Sequence, residues 1–253
     1  VDFSDPVNLN TAAVSMVVAI ANYTLAWGGM TFEGIALGSV CGTINGLLIS
    51  RFKLQPMIAT LGMMSIARGA ALTLAGGRTI SGYPPGFTWL GNGTIPGTTI
   101  PVQIVFMLLL YVVAYYFMRY RRFGRALYSV GGNEEATRLS GINVFKYKTL
   151  AYTVSGALAG IASVVLVAKL NSAQSIAGQD YELDAIASAV IGGASLLGGK
   201  GSIWGTLMGA LIIGVIRNGL NLLNVSSYLQ KLIIGFIILI AVLVDAFRNR
   251  ERS

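Results

Sequence analysis

The chain has 253 residues, 54% of them hydrophobic and only 11% charged, with 32 glycines, one cysteine and no histidine. A soluble domain carries about 25% charged residues, so this composition excludes one and fits a polytopic membrane protein, whose helices tolerate glycine and avoid charge. The lack of histidine removes Ser-His-Asp and Cys-His catalysis and His-rich metal sites, and Cys41 has no partner for an internal disulfide.

Residues 1–10 are polar and show no basic region followed by an apolar core, so they do not read as a signal peptide. The chain does not begin with methionine and is expected to be trimmed or partial. A spanning helix takes roughly 20 mostly apolar residues. On that measure eight candidate spans lie near 7–27, 34–50, 56–75, 102–119, 147–169, 184–199, 203–221 and 229–247. Several are short, which allows re-entrant or broken helices. The expected fold is all-α, a polytopic helical bundle forming a single transmembrane domain over 1–253.

Along the second span Gly34, Gly38, Gly42 and Gly46 recur every four residues and form a ridge on one helix face. Gly156 with Gly160, and Gly205 with Gly209, repeat that spacing. Such ridges let helix backbones approach closely, because apolar side chains gain little by leaving lipid for protein. Cys41, among these glycines, reads as a small packing residue. The connection 76–101 is rich in Gly, Pro and Thr, which reads as turns. It either caps an outer mouth or is an idle surface loop. A second connection, 170–183, carries acids.

The basic residues are distributed unevenly. Alternating the spans back from the C-terminus places 13 of the 18 Lys and Arg in one set of loops. Only Arg78, Lys169 and Lys231 fall in the opposite set, and Arg68 and Arg217 fall inside spans. This is the positive-inside pattern, so the net charge of +8 reports topology rather than nucleic acid. The basic loops and the C-terminus are expected in the cytoplasm. Within a bilayer, Arg68 and Arg217 must either snorkel to an interface or pair with an acid.

The longest inside segment, 119–148, holds a hydrophilic island, GGNEEATRLSGINV (131–144). Asn133 is a good N-cap, and Glu134 and Glu135 follow where the helix dipole favours negative charge. Ala136 and Leu139 are three apart and share a face, and Gly141 stands where a left-handed residue ends a helix. The spacing predicts a helix of roughly seven residues, about 10 Å long, too short to be stable alone. The flanking spans, a partner surface, or both must hold it. Further on, GGKGS (198–202) invites a phosphate-loop reading. That motif needs a glycine five positions before Gly-Lys-Ser/Thr. Here Ala194 takes that place and Gly201 follows the lysine, so a tight turn between spans fits better and no ATP hydrolysis is expected.

RFGRALYSVGGNEEATRLSGINV resembles the cytoplasmic loop of the permease subunits of bacterial carbohydrate ABC importers, the ribose-type branch. PMIATLGMMSIARG (56–69), after Asn45-Gly46, resembles the same family. NSAQSIAGQDYELDAIASAVIGGASLLGGKGS (171–202) and NGLNLLNVSSYLQ (218–230) do so too. The likeness covers roughly 34–248. Asp2-Phe3-Ser4 looks like a remnant of the family's Asp-Leu-Ser segment, but the continuation differs. Family members carry about two further N-terminal spans, about ten in all, which leaves 1–12 doubtful as helix.

The resemblance implies a type II-like ABC importer transmembrane domain in the inner membrane. Two permease subunits, identical or closely related, form the pathway. Two cytoplasmic ATPase domains bind ATP and magnesium and each receives the island as a coupling helix. A periplasmic or lipid-anchored binding protein delivers the sugar. The coupling residues implied are Asn133, Glu134, Glu135, Ala136, Arg138, Leu139, Ser140 and Gly141. No cofactor or metal is expected in this chain, and no nucleic-acid partner.

A sugar cargo needs hydrogen-bonding groups within the spans, and Asn45, Thr60, Ser65, Asn218 and Asn221 are the candidates. The alternative role for each of them is an inter-helix hydrogen bond. Glu182 and Asp184 at the start of a span either cap that helix or meet the binding protein. Galactose, xylose, a furanone signal or a nucleoside are alternative cargoes. A stand-alone secondary transporter would need intramembrane ion ligands and inverted repeats, and the chain shows few acids and no clear repeat.

Overall fold

The computed structural model describes residues 30–174, 177–195 and 198–250, with backbone alone at 30, 31 and 245–250. The span expected near 7–27 and the segment 1–12 lie outside these residues. The described residues form two compact units, one from 30–106 with 148–174 and 177, the other from 107–147 with 178–195 and 198–250.

The first unit contains α1 (Met30–Phe52), α2 (Pro56–Ala75), β1 (Ile80–Ser81), α3 (Pro85–Asn92), the start of α4 (Val102–Tyr120), most of α7 (Val144–Leu170) and β2 (Ser172–Ala173). Its tightest packing is the glycine ridge. A Cβ at Gly38 would lie 2.2 Å from the Gly156 carbonyl oxygen, and one at Gly42 2.2 Å from that of Tyr152. In return, a Cβ at Gly156 would come 2.1 Å from the Gly38 oxygen, and one at Gly160 2.4 Å from that of Gly34. Real Cβ atoms do not approach so closely, so α1 and α7 meet backbone to backbone only because these positions are bare. Hydroxyl pairs bridge the same seam, Thr43 with Thr153 and Ser50 with Thr149, each at 2.9 Å.

α2 begins with Pro56 in its first turn, where a missing N–H costs nothing, and stops at Gly76, whose φ of +57° suits glycine. None of its residues is buried, nor any of α4. Both helices are apolar, so lipid or protein must cover them.

The 76–101 connection is more ordered than its turn-like composition predicts. Pro84 and Pro85 set the extended-to-helix transition that starts α3. β1 pairs antiparallel with β2, Ile80 opposite Ala173 and Ser81 opposite Ser172. The connection after α2 and the residues just after α7 therefore meet in this unit. α3 packs on the last turn of α7, where a Cβ at Gly91 would come 2.2 Å from the Lys169 nitrogen. Asn92 Nδ2 donates to the Ala168 and Lys169 oxygens at 3.1 and 3.0 Å, satisfying carbonyls that a helix end leaves open. Tyr83 packs against Phe87 beside this end, and burial pushes its hydroxyl above the usual phenol range.

The second unit contains the rest of α4, then α5 (Arg122–Gly132), α6 (Glu134–Leu139), α8 (Tyr181–Ile191), α9 (Ile203–Leu222) and α10 (Ser227–Arg250). The span expected at 184–199 is corrected here. α8 has 11 residues, about 16 Å at 1.5 Å per residue, half of the roughly 30 Å hydrocarbon core. Gly192 and Gly193 end it, the latter at φ +86°. Among the described residues six helices are long and apolar enough to cross a membrane. α8 runs antiparallel to α9 through a second glycine approach. Cβ atoms at Gly209 and Gly205 would each lie 2.0 Å from a carbonyl oxygen, of Ser188 and Gly192 respectively.

Candidate functional site

The island folds as its capping residues dictate. Asn133 is extended at φ −155° and ψ 106°, and its side chain accepts the Ala136 N–H at 2.9 Å. Its own N–H donates to Ser129 O at 3.0 Å, so it closes α5 and opens α6 in one residue. At the other end Gly141 takes φ +83°. Its N–H donates to Arg138 O at 3.1 Å, and that of Ile142 to Thr137 O at 3.3 Å. These two bonds define a Schellman stop. Asn143 Oδ1 then accepts the Lys146 N–H at 3.0 Å and starts α7. α6 itself has six residues, so its stability comes from caps and anchoring rather than propagation.

The anchor is Thr137, which the sequence reading passed over. It is 3% exposed. Its Oγ1 donates to Asn133 O at 2.7 Å and lies 2.8 Å from Ser129 Oγ. The spacing Ser129–Asn133–Thr137, three small polar residues four apart, is the available signal. All the other α6 residues are exposed. Glu135 and Arg138 pair at 2.6 Å with side chains about two-thirds exposed, and Leu139 is 78% exposed. Glu134, Ala136 and Ser140 are exposed as well, and Ser140 Oγ donates to Thr137 O at 2.8 Å.

The GGKGS turn braces this junction. A Cβ at Gly131 would come 2.6 Å from the Gly199 nitrogen, and Tyr128 donates its hydroxyl to Gly201 O at 3.1 Å. Gly198 and Gly199 take φ of +89° and +73°, and the Ser195 N–H closes the turn on Lys200 O at 3.0 Å. The lysine therefore sits in a glycine turn packed on α5.

The polar span residues separate. In the first unit, Asn45 Oδ1 is buried without a hydrogen-bond partner among the described residues. Thr60 bonds back to Pro56 O and Met57 O, and Ser65 is exposed on α2. Among the described residues no hydrogen bond joins these three. In the second unit, Asn218 is exposed, and Asn221 Oδ1 accepts from Gln230 Nε2 at 2.9 Å. Arg217, one turn before Asn221, pairs with Asp184 at 2.6 Å, and Lys231 pairs with Asp180 at 2.7 Å. Of the two outcomes expected for Arg217, pairing with an acid is the one observed. Asp180 occupies the N-cap position of α8, in the left-handed region at φ +70°, without a side-chain cap bond. Glu182 and Asp184 lie in the first turn, where the dipole favours them. Arg217 Nε and Asp184 Oδ1 remain buried and without a hydrogen-bond partner among the described residues. Among the described residues no cluster of His, Cys, Asp or Glu could hold a metal.

Among the described residues the chain is thus a multi-pass helical protein of the membrane type, with six helices long and apolar enough to span and a short, capped, exposed helix between two of its longer ones. The chain belongs to the family described as branched-chain amino acid transport system, permease component, which matches residues 2–242. It is similar to the ribose import permease protein of Escherichia coli, 47% identical over 215 residues, covering 83% of this chain and 66% of that one. The ribose import permease protein of Bacillus subtilis is 47% identical over 203 residues, 79% of this chain and 62% of that one. The D-allose transport system permease protein of E. coli is 39% identical over 212 residues, 84% and 64%. The chain spans just under two thirds of the length of these relatives. No solved structure matches it.

Proposed function

We propose that the chain is the transmembrane permease subunit of an ATP-driven importer for a monosaccharide, with ribose the first candidate cargo. The observation that carries this reading is α6: a six-residue helix fixed by Thr137 and two caps, presenting Leu139 and the Glu135–Arg138 pair outward. A preformed exposed helix of this kind is a contact for a partner. In a family of permease components, that partner is a cytoplasmic ATPase domain. The names of the relatives supply the cargo class. Allose and fructose import permeases among them support a second reading, the same machine with a different sugar.

In the working protein, two such subunits, identical or paralogous, enclose the pathway, and the uncovered apolar faces of α2 and α4 are where a neighbour or lipid sits. Two ATPase domains hold ATP and magnesium and engage Asn133 to Gly141. A binding protein delivers sugar on the opposite side. Two pairings agree with this sidedness: β1 with β2 joins the two loops assigned outside, and the 198–201 turn packs on α5 among the loops assigned inside. On this reading the C-terminus is cytoplasmic. ATP binding moves α6, and the contacts it makes differ between the two access states, as any such switch requires. Asn45, Thr60, Ser65, Asn218 and Asn221 are the pathway candidates, and Asn45 is the strongest because its buried oxygen lacks a partner.

The test is co-purification from membranes with candidate ATPase and binding-protein subunits, then an ATPase assay with a panel of sugar-loaded binding proteins. Wild-type chain should retain an ATPase subunit, and the loading sugar that stimulates turnover names the cargo. Glu135→Ala with Arg138→Ala should release the ATPase and stop uptake while the chain still inserts normally. Unchanged uptake in that variant would sink the coupling role. Sugar movement by the chain alone, without ATP, would replace the importer with a secondary transporter.

A further inference from the structure

The elbow between α4 and α5 carries a feature that coupling does not use. No acid occurs between Glu33 and Glu134, yet Arg119, Arg121, Arg122 and Arg125 crowd into seven residues at the end of an apolar helix. Among the described residues Arg121, Arg122 and Arg125 are exposed and none is paired with a carboxylate. The arginines also converge. A Cβ at Gly124 would come 2.1 Å from Met118 O, so α5 folds back tightly on the last turn of α4. That fold gathers Phe117, Tyr120, Arg121, Arg122, Phe123 and Arg125 around one open pocket of about 570 Å³. Arg121 lies 5.3 Å above the Tyr116 ring and 6.0 Å from Phe117, and Tyr116 packs on Tyr120 at 5.5 Å.

Aromatic rings at the end of an apolar span mark the headgroup level of a bilayer. Topology alone would be satisfied by arginines anywhere in the loop, without a shared cavity or an aromatic wall. Guanidinium groups bind phosphate oxygens in pairs, and the aromatic wall suits the glycerol and first acyl carbons beside that phosphate. Basic pockets at the ends of transmembrane helices take anionic headgroups for this reason. We propose that the α4–α5 elbow binds the phosphate headgroup of an anionic phospholipid, with Arg121, Arg122 and Arg125 as its ligands. The site depends on the chain's place in the membrane and on neither the cargo nor the coupling role.

The full chain is placed in nanodiscs of phosphatidylcholine with a minor fraction of phosphatidylglycerol, extracted, and its retained lipids identified by native mass spectrometry. Wild type should keep phosphatidylglycerol in preference to phosphatidylcholine. Each single Arg→Gln change at 121, 122 or 125 should lower that retention about fivefold, and the triple change should abolish it. The triple Arg→Lys variant should keep much of it, showing an intact fold, and Arg51→Gln with Lys53→Gln should leave it unchanged. No preference in wild type, full retention in the Gln triple, or equal loss from the Arg51 and Lys53 changes would overturn the proposal. Complete displacement by millimolar inorganic phosphate would instead make this a soluble-anion site. Loss of ATPase co-purification with lipid retention unchanged would assign the elbow to the protein partner.

Discussion

The α1–α7 seam and the α5–α6 junction are both tight, and for opposite reasons. The seam is held by what is missing: at Gly38, Gly42, Gly156 and Gly160 bare backbones touch, and any side chain would collide with a carbonyl. The junction is held by what is present: Asn133, Thr137 and Ser129 supply the hydrogen bonds that a six-residue helix cannot generate for itself. The first should fail when volume is added, and the second when a polar atom is removed. The α8–α9 pair combines both, with Gly205 and Gly209 in close approach and Asp184 bonded to Arg217.

The sharpest break is Gly38→Leu or Gly156→Leu. Overpacking costs about 1–3 kcal/mol even where neighbours can relax, and two facing backbones cannot. Size-exclusion chromatography after a heating series should show little folded protein, whereas Gly62→Leu, with open space around it, should behave as wild type. Next comes Asp184→Ala, which strands Arg217. A lone arginine at the centre of a membrane helix costs about 2.5–3.5 kcal/mol, less here because both side chains retain some exposure. Asp184→Ala with Arg217→Ala should recover part of the loss in a thermal double-mutant cycle, and full additivity would refute the coupling. Thr137→Val keeps the shape and removes one hydroxyl, so about 1–2 kcal/mol is expected, with α6 loosened and α1–α7 unaffected. The smallest stability effect belongs to Glu135→Gln. An exposed pair is worth about 1 kcal/mol or less, so the melting temperature should hold while sugar uptake falls. If stability and uptake fall together, α6 is a structural brace and not a contact.

These differences also explain what could be read without coordinates. The glycine ridge repeats every four residues, so its face is visible in the letters, as is the Gly156–Gly160 face of α7, although the pairing of the two is not. The island obeys local rules, and Asn133 and Gly141 mark its ends correctly. Thr137 was missed because a mid-helix threonine carries no signal by itself, and the four-residue spacing to Asn133 and Ser129 gains meaning only once Ser129 in the preceding helix is known to meet it. The 184–199 segment looked long enough to span because hydropathy does not register a left-handed glycine. The Arg217–Asp184 pairing was open to sequence only as a need for some acid, since 33 positions separate the two. Helix α3 hid inside a composition of Gly, Pro and Thr because prolines that break helices also start them.

The six residues of α6 have a consequence for how this part of the molecule breathes. A helix this short has no stable interior, so its amides cannot open one by one from a frayed end. The N–H groups of Ala136 and Thr137 are tied to Asn133, and those of Gly141 and Ile142 close the far end. Release of Thr137 from Ser129 should let the whole turn melt at once. In a hydrogen-exchange experiment these amides should therefore share a single rate, set by one buried hydroxyl, and any clamp on Leu139 should slow them all by the same factor.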